Sequence, residues 1–282
     1  MTKKSVPERI LLFIPAYRCE EQIARVIAQI DQHTADYISE VIVIDNGSPD
    51  RTVTVASEAL AKIPVAGRVL RNVGNYNLGG SQKVAFEYAI QNGFDYAVIL
   101  HGDDQADLHD LVPVLNAGIY RQYDALLGSR FMKGSRLEGY SGLRTLGNIV
   151  FNIMFSLASG KWITDLGSGL NLYRVEALKS RFYLRFADAL TFNYFMVLAH
   201  MAMRWRVMFF PISWREEDQS SNVRLVRQTL RLVLILGLYV LRRRIFMSGE
   251  HRDTVRESYP SEVVFENEAA ASMEPPPHGV ST

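Results

Sequence analysis

This 282-residue sequence has one cysteine, a net charge close to zero and no long apolar run. Each of these features excludes a class of protein. The single cysteine, Cys19, rules out an internal disulfide and fits a reducing compartment. A net charge of +1 gives the molecule no bulk field for nucleic acid, so no nucleic-acid partner is expected. The N-terminal apolar run covers only residues 10–14, which is too short for a signal-peptide core. We therefore expect a cytoplasmic protein.

Two glycine-rich phosphate-binding motifs are also missing. The loop after the first apolar segment, PAYRCEE, has no glycine, whereas a dinucleotide-binding dehydrogenase needs G-x-G-x-x-G there. The segment GNYNLGGS (74–81) is similar to a P-loop, but Gly80 stands where the lysine is required. Neither a dehydrogenase of that type nor a P-loop NTPase is indicated.

Apolar segments do alternate with amphipathic helical segments along the first hundred residues. Strands are predicted at 10–15, 40–45, 66–72 and from Tyr96 onward, and helices around 20–30, 52–62 and 80–93. The strand segments are apolar throughout, which is typical of a parallel sheet covered by helices on both faces. We therefore predict an α/β, Rossmann-like fold whose ligands bind at the carboxyl ends of the strands. Further strands are predicted at 124–131, 168–174 and 206–214, and helices at 146–160 and, as a buried element or a lipid-facing groove, at 182–203.

The character of the sequence changes from Arg224 onward. Residues 224–250 contain six arginines, and Arg224, Arg227, Arg231 and Arg242 fall on one stripe of a helix. The apolar run 232–241 is half the length of a membrane span, so a basic amphipathic helix lying in the membrane interface is predicted. The alternative is a helix docked on the domain with its arginines in water. Residues 251–282, rich in glutamate and proline, are predicted to form a disordered tail.

A cluster of carboxylates follows the strand that begins at Tyr96. Asp103, Asp104 and Asp107 repel one another unless a cation lies among them, and hard oxygen ligands select Mg²⁺ or Mn²⁺. The alternative is a solvated loop or a helix N-cap, which also favours aspartate.

Six motifs stand in order along the chain: FIPAYRCEEQI, VIVIDNGSPDRT, NYNLGGSQKVAFEYA, HGDDQ, GSRF and TDLGSGLNLYR. Together they resemble the family-2 glycosyltransferases of the GT-A fold, in particular polyprenyl-phosphate sugar synthases such as dolichyl-phosphate mannose synthase. The resemblance covers roughly residues 8–225 and implies a GT-A domain over 1–223, followed by the helical extension over 224–250 and the tail over 251–282.

The resemblance also implies a role for each matched residue. Donor binding is implied for Pro15, Ala16, Tyr17, Asp45, Gly79, Lys83, Asp103 and Asp104. Metal binding is implied for Asp103, Gln105 and His101, and catalytic roles for Asp103, Arg130 and Asp165. Acceptor binding is implied for Ser168, Arg215, Ser220 and Ser221. His101 replaces the first Asp of the family's D-x-D, and a packing role for this imidazole is the alternative to metal ligation.

The implied reaction is metal-dependent, inverting transfer of a sugar from a UDP- or GDP-sugar donor to a polyprenyl phosphate, at the inner face of the cell membrane. A phosphate acceptor is already an anion and requires cations, whereas a saccharide hydroxyl would require Asp165 as its base. The saccharide acceptor stays open as the alternative, and a nucleotide-sugar-binding protein without catalysis as a further one.

Overall fold

The computed structural model describes residues 8–216 and 225–272, and its centre is an eight-stranded sheet. The strands, in chain order, are β1 (Ile10–Ala16), β2 (Glu40–Asp45), β3 (Ala66–Asn72), β4 (Tyr96–Leu100), β5 (Ala125–Ser129), β6 (Arg136–Glu138), β7 (Leu170–Arg174), β8 (Val207–Pro211), β9 (Ser213–Arg215) and β10 (Ser261–Glu266). The α-helices are α1 (Ile23–Ala28), α2 (Gln32–Ala35), α3 (Thr52–Leu60), α4 (Asn77–Gln91), α5 (Val112–Asn116), α6 (Gly142–Ser159), α7 (Val175–Leu178), α8 (Phe192–Ala202), α9 (Leu225–Leu241), α10 (Arg243–Ser248) and α11 (Glu268–Ala271).

The sheet is mostly parallel, as the apolar strands predict. Its order is β10-β3-β2-β1-β4-β7-β5-β8. Strands β3, β2, β1 and β4 run parallel, β7 runs antiparallel between β4 and β5, and β8 is parallel to β5. The prediction of an α/β fold is therefore confirmed.

The central strand β1 shows why its sequence is apolar at every position. Leu11 and Phe13 pack into one hydrophobic core with α4 and α8, while Ile10, Leu12 and Ile14 pack into a second core with α1 and α3. Successive side chains of a strand point to opposite faces, so a sheet covered on both faces has no solvent side. Each such buried side chain contributes about 1.5–3 kcal/mol of transfer free energy.

The segment predicted as one strand over 206–214 is divided in two. β8 ends at Pro211, which lacks the N–H that a ladder requires, and Ile212 instead donates its N–H to Ser129 O at 3.1 Å. β9 then leaves the large sheet and pairs in parallel with β6. This break carries Arg215 to the loop that follows β4.

The prediction of a disordered tail from residue 251 is wrong for the part that the structure describes. β10 adds to the sheet edge, antiparallel to β3, and Asn267 then caps α11 while binding the N–H of Gly67 and the carbonyl of Val65. The apolar run Val263–Phe265 supplies a strand that the surrounding glutamates obscure in the composition. Residues 273–282 lie outside the described residues.

The C-terminal helix α9 docks on the domain. Leu232, Ile235 and Tyr239 are buried against the core that also contains α8. The predicted arginine stripe is not found as a face of this helix, because Arg231 is half-buried and Arg242 lies beyond the helix end. Arg224 and the side chain of Arg227 lie outside the described residues. In the described part of the chain, no helix has the length and apolarity required to span a bilayer.

Candidate active site

The loops after β1, β2 and β4 meet at one edge of the sheet. Ala16 and Asp45, the last residues of β1 and β2, are paired neighbours, and Gly102 donates its N–H to Pro15 O at 3.1 Å. A Cβ atom at position 102 would lie only 3.0 Å from the carbonyl oxygen of Pro15, so glycine allows the two loops to approach each other. Tyr17 follows with 44% of its surface exposed. The predicted donor-binding and metal-binding loops are thus brought together.

Asp45 shapes the second of these loops. Its buried carboxylate accepts the N–H groups of Gly47 and Ser48, and Arg71 approaches it to 3.5 Å. The hydroxyl of Ser48 in turn accepts the N–H of Arg18, whose backbone is left-handed with φ 55°. These bonds fix the first loop against the second.

Cys19 lies beneath the first loop and is buried. Burial, reinforced by Asp103, raises the pKa of its thiol to about 12. The thiol is therefore protonated at neutral pH, and Cys19 is unsuited to act as a nucleophile.

His101 and Asp103 form the centre of the predicted metal motif. The Nε2 atom of His101 is buried and has no hydrogen-bond partner among the residues that the structure describes. Burial lowers the pKa of His101, so the imidazole is neutral and offers a lone pair. Burial also raises the pKa of Asp103, with a smaller opposing effect of His101, so a negative charge here is costly without a cation. An imidazole nitrogen beside a carboxylate fits a divalent ion, and suits Mn²⁺ better than Mg²⁺.

This donor set is incomplete by itself. Within residues 8–216 and 225–272, no group of three His, Cys, Asp or Glu side chains is arranged to hold a metal ion. Gln105 is half-buried beside Asp103, and its backbone N–H reaches Asp103 Oδ1 at 3.4 Å. One or two protein ligands are the usual number where substrate phosphates complete the coordination of Mg²⁺. The residues present fit a metal shared with a diphosphate.

Asp104 has a different role from the predicted contact with the donor. Its left-handed backbone, with φ 58°, accompanies a carboxylate that is 3% exposed and bound by arginines. Arg25 Nε lies 2.7 Å from Oδ2, and Arg215 binds Oδ1 and the Asp104 carbonyl. The prediction for Asp104 is wrong, since these groups occupy its oxygens. It ties the metal loop to α1 and β9.

Arg130 and Asp165 form a buried bidentate ion pair at the end of β5. Arg130 donates Nε to Oδ2 at 2.7 Å and a terminal nitrogen to Oδ1 at 2.8 Å. The backbone N–H groups of Arg130 and Gly167 are further donors, so the carboxylate accepts four hydrogen bonds. Burial lowers the pKa of Arg130, but Asp165 raises it by more, so the guanidinium is permanently charged.

Aromatic rings hold this guanidinium in place. Trp214 and Phe131 lie 4.8 and 5.0 Å from its central carbon, and Tyr140 lies 5.7 Å away. Sequence reasoning missed Trp214 and Tyr140. The only signal was an aromatic residue directly before Arg215. Such stacking favours arginine over lysine at position 130.

The structure describes two of the four predicted acceptor residues. The side chain of Arg215 is 36% exposed, and only some of its N–H groups bind Asp104. The others can contact an anion at the solvent-exposed edge of the site, which we call the rim. Ser168 is buried, and its hydroxyl contacts Leu170 O and Asn171 Oδ1 beside a small internal cavity. Asp165 lines the same cavity, so Ser168 lies where a floor residue of the acceptor site would lie, and its contact with an acceptor stays a prediction. Ser220 and Ser221 lie outside the described residues.

Gly79 and Lys83 also differ from their predicted role. Lys83 donates to Phe186 O, Asp188 Oδ1 and the Tyr259 hydroxyl at 2.5, 2.6 and 3.2 Å, and its side chain is fully buried. Burial lowers the pKa of this ammonium to about 8. All three N–H groups are used, so donor binding by Lys83 is contradicted. A Cβ at Gly79 would lie 2.6 Å from the Cβ of Phe192, so this glycine permits close packing and leaves no room for a ligand.

His109 clamps the segment that follows the metal loop. Its Nδ1 lies 2.8 Å from Asp107 and its Nε2 lies 3.1 Å from Asp31, the N-cap of α2. Two carboxylate partners require both ring nitrogens to be donors, which only the imidazolium provides. Burial lowers the pKa of His109, but the bonds to Asp31 and Asp107 outweigh it and the pKa is raised.

The stability that this clamp contributes is therefore pH-dependent. A raised pKa means that the contribution is complete below the ordinary histidine value near 6.5 and is lost as the pH rises through the folded-state pKa. We expect His109→Gln to lower Tm by about 1–2 °C at pH 5.5 and to leave it unchanged at pH 8.5, the size typical of an exposed pair. Calorimetric scans at both values check this, and an equal difference at the two values would contradict it.

The chain is similar in sequence to known proteins. The sequence model of the family described as "Glycosyl transferase family 2" matches residues 12–182, more than half of the chain. The chain is 24% identical over 228 residues to the polyprenol monophosphomannose synthase of Mycolicibacterium smegmatis, covering 77% of this chain and 83% of that protein. It is 25% identical over 181 residues to the UDP-N-acetylglucosamine–dolichyl-phosphate N-acetylglucosaminyltransferase of Methanococcus voltae, covering 60% and 71%.

A solved structure shares the fold. Glucosyl-3-phosphoglycerate synthase from Mycobacterium tuberculosis, in complex with Mn²⁺ and UDP-glucose, superposes with a TM-score of 0.60 at 15% identity. The match covers 95% of this chain and 92% of that one. At this identity the likeness establishes the fold alone.

Proposed function

The chain belongs to glycosyl transferase family 2 and is a glycosyltransferase, and from this premise we propose that it transfers a sugar from a nucleotide-sugar donor to a polyprenyl phosphate. Relatives named for transfer to polyprenol, dolichyl and undecaprenyl phosphates support this acceptor. The single observation that favours it within the site is the state of Asp165.

Asp165 is the residue that a hydroxyl acceptor would need as its base. Both of its oxygens are engaged by Arg130, with which it forms a nearly water-free ion pair. Each oxygen accepts two of the four hydrogen bonds, so neither has an acceptor position left for the proton of a substrate hydroxyl. A phosphate acceptor requires no base, because its oxygen is already anionic.

In the proposed reaction, an acceptor phosphate oxygen forms a bond to the anomeric carbon as the bond to the nucleoside diphosphate breaks, with inversion and without proton transfer. Arg215, exposed at the rim, attracts the acceptor phosphate. The loops of Pro15–Tyr17 and Asp45 position the nucleoside. His101 and Asp103, next to Gln105, would hold a divalent ion, which when bound would supply charge neutralisation for the departing diphosphate.

Transfer of labelled sugar tests this proposal. Purified protein is incubated with a panel of UDP- and GDP-sugars and with Mn²⁺ or Mg²⁺. The acceptor is undecaprenyl phosphate, the matched unphosphorylated alcohol or an added saccharide. We expect label in the organic phase only with the phosphate. Label that stays in water on an added saccharide would replace this proposal by transfer to a hydroxyl.

A polyprenyl phosphate acceptor places the reaction at a membrane. Nucleotide sugars are cytoplasmic metabolites, so we propose that the protein works on the inner face of the cell membrane, as a peripheral protein. Cell fractionation with a salt wash tests this, and recovery of all the protein in the soluble fraction would contradict it.

A further inference from the structure

The outward face of α6 is apolar along its whole length. Its exposed positions carry large hydrophobic side chains at helical spacing: Leu143, Leu146, Ile149, Val150, Ile153 and Leu157. Leu143 and Leu157 are 78% and 80% exposed, and Trp162, just beyond the helix, is 75% exposed. At 100° per residue these six positions fall within one 120° sector. The helix is about 27 Å long, so the stripe is a continuous apolar surface. Its area is far larger than that of the single exposed leucines found on most protein surfaces.

The opposite face of α6 is bound to the loop that leads to Asp165. Phe155 is fully buried in the core. Asn152 Nδ2 donates to Thr164 O at 2.6 Å, and Ser156 Oγ contacts Ile163 O at 3.3 Å. One helix therefore presents an apolar stripe outward and fixes the acceptor side of the site inward.

Helix α9 packs against α6 and repeats this pattern. Its inward residues are Leu232, Ile235 and Tyr239, and its outward positions are again apolar and exposed: Leu230, Val233, Leu234, Val240 and Leu241. The exposed positions between Leu230 and Leu241 carry no charge, and the half-buried Arg231 lies beside the stripe. Two neighbouring helices thus expose apolar stripes. Exposure of apolar surface to water is unfavourable in free energy, and burial against a partner would remove that cost.

Cations border the ends of these stripes. Arg242, Arg243 and Arg244 follow α9 and are all exposed, and Lys161 is exposed between α6 and Trp162. Apolar side chains, a flanking tryptophan and a basic border match the acyl boundary, interface and anionic headgroups of a bilayer. A second copy of the chain would present the same cationic border and would gain no such charge complementarity.

We propose that the outward faces of α6 and α9, with Trp162 and Arg242–Arg244, form one membrane-docking surface for anionic bilayers. This inference rests on the proposed function in that docking brings the Asp165 loop, held by α6, to the level of a lipid phosphate. Apolar insertion by both helices anchors the protein, and the arginine cluster adds headgroup attraction. The arginine stripe expected from the sequence is not needed.

Vesicle co-sedimentation of the full chain tests the surface. With 70:30 phosphatidylcholine–phosphatidylglycerol vesicles, Leu146→Gln/Leu157→Gln is expected to weaken partitioning at least about tenfold. The matched control, Val255→Gln/Val263→Gln, changes two exposed apolar residues on the C-terminal segment and is expected to bind within about twofold of the wild type. Arg242→Gln/Arg243→Gln/Arg244→Gln is expected to weaken binding to these vesicles and to leave binding to pure phosphatidylcholine unchanged.

A second readout reports insertion directly. The fluorescence of Trp162 should shift to the blue on addition of vesicles, and Trp162→Phe should remove that shift. Wild-type protein that stays in the supernatant would overturn the inference, as would an α6 variant that binds like the wild type. A wild-type dimer in light scattering that the α6 variant converts to a monomer, without vesicle binding, would assign the surface to a second copy instead.

Transfer to a short-chain, water-soluble polyprenyl phosphate separates this inference from the proposed function. The α6 variant should retain that transfer at the wild-type rate while losing transfer to undecaprenyl phosphate in vesicles. Vesicle binding without any transfer to either phosphate would refute the proposed function and leave the docking surface intact. Equal transfer by wild type and α6 variant in vesicles would refute docking alone.

Discussion

Asp103→Asn is expected to lower the rate of sugar transfer about 10³-fold while leaving the fold intact. Asparagine preserves the size of the side chain and its oxygen, which accepts the N–H of Gln105. It removes the negative charge that a divalent ion requires beside the neutral imidazole of His101. Transfer rates with saturating donor, measured over a Mn²⁺ titration, check the prediction.

A nearby aspartate provides the matched control for this variant. Asp107→Asn changes a half-exposed aspartate that caps the turn at 108–111, and asparagine caps equally well. At pH 8, where the His109 clamp contributes least, it should transfer sugar within about twofold of the wild type. Calorimetry should show donor binding strengthened by Mn²⁺ in the wild type and in Asp107→Asn, and insensitive to Mn²⁺ in Asp103→Asn. An Asp103→Asn variant that retains a tenth of the wild-type transfer rate would refute metal binding at this loop.

Asp165→Asn is expected to have the largest effect on stability, lowering the free energy of unfolding by about 3–5 kcal/mol. The variant leaves the Arg130 guanidinium buried among aromatic rings without its carboxylate partner. Denaturant titration measures the loss. Activity is compared below the Tm of the variant, where the protein is folded.

A double variant separates positioning from proton transfer. In Arg130→Met/Asp165→Leu no buried charge is left without a partner, so most of the lost stability should return while transfer to polyprenyl phosphate stays more than about 100-fold reduced. The single variant Arg130→Met keeps the carboxylate of Asp165. If Asp165 were the base for a hydroxyl acceptor, Arg130→Met would retain transfer to an added saccharide, and Arg130→Met/Asp165→Leu would lose it. If the ion pair only positions the acceptor side of the site, both variants should lose transfer to a similar extent.

The sequence by itself determined the four parallel strands β1–β4 and the placement of the motifs that follow them. Strands such as β1 are apolar at every position because both of their faces are covered. This pattern can be recognised from the residues of the strand alone. In a parallel sheet the carboxyl ends of neighbouring strands share one edge, so the loops that follow β1, β2 and β4 had to meet. The family resemblance of those motifs, confirmed over residues 12–182, follows from the same segments.

Only the tertiary structure decided which polar side chains were free to act. Asp104 is committed to Arg25, 79 positions earlier, and Lys83 is held by Tyr259, 176 positions later. The docking of β10 on β3 and the outward direction of the apolar residues on α6 have the same origin. The periodicity of one segment reports its own face, whereas the partner of a charge, or the covering of an apolar stripe, depends on chain segments far away in sequence.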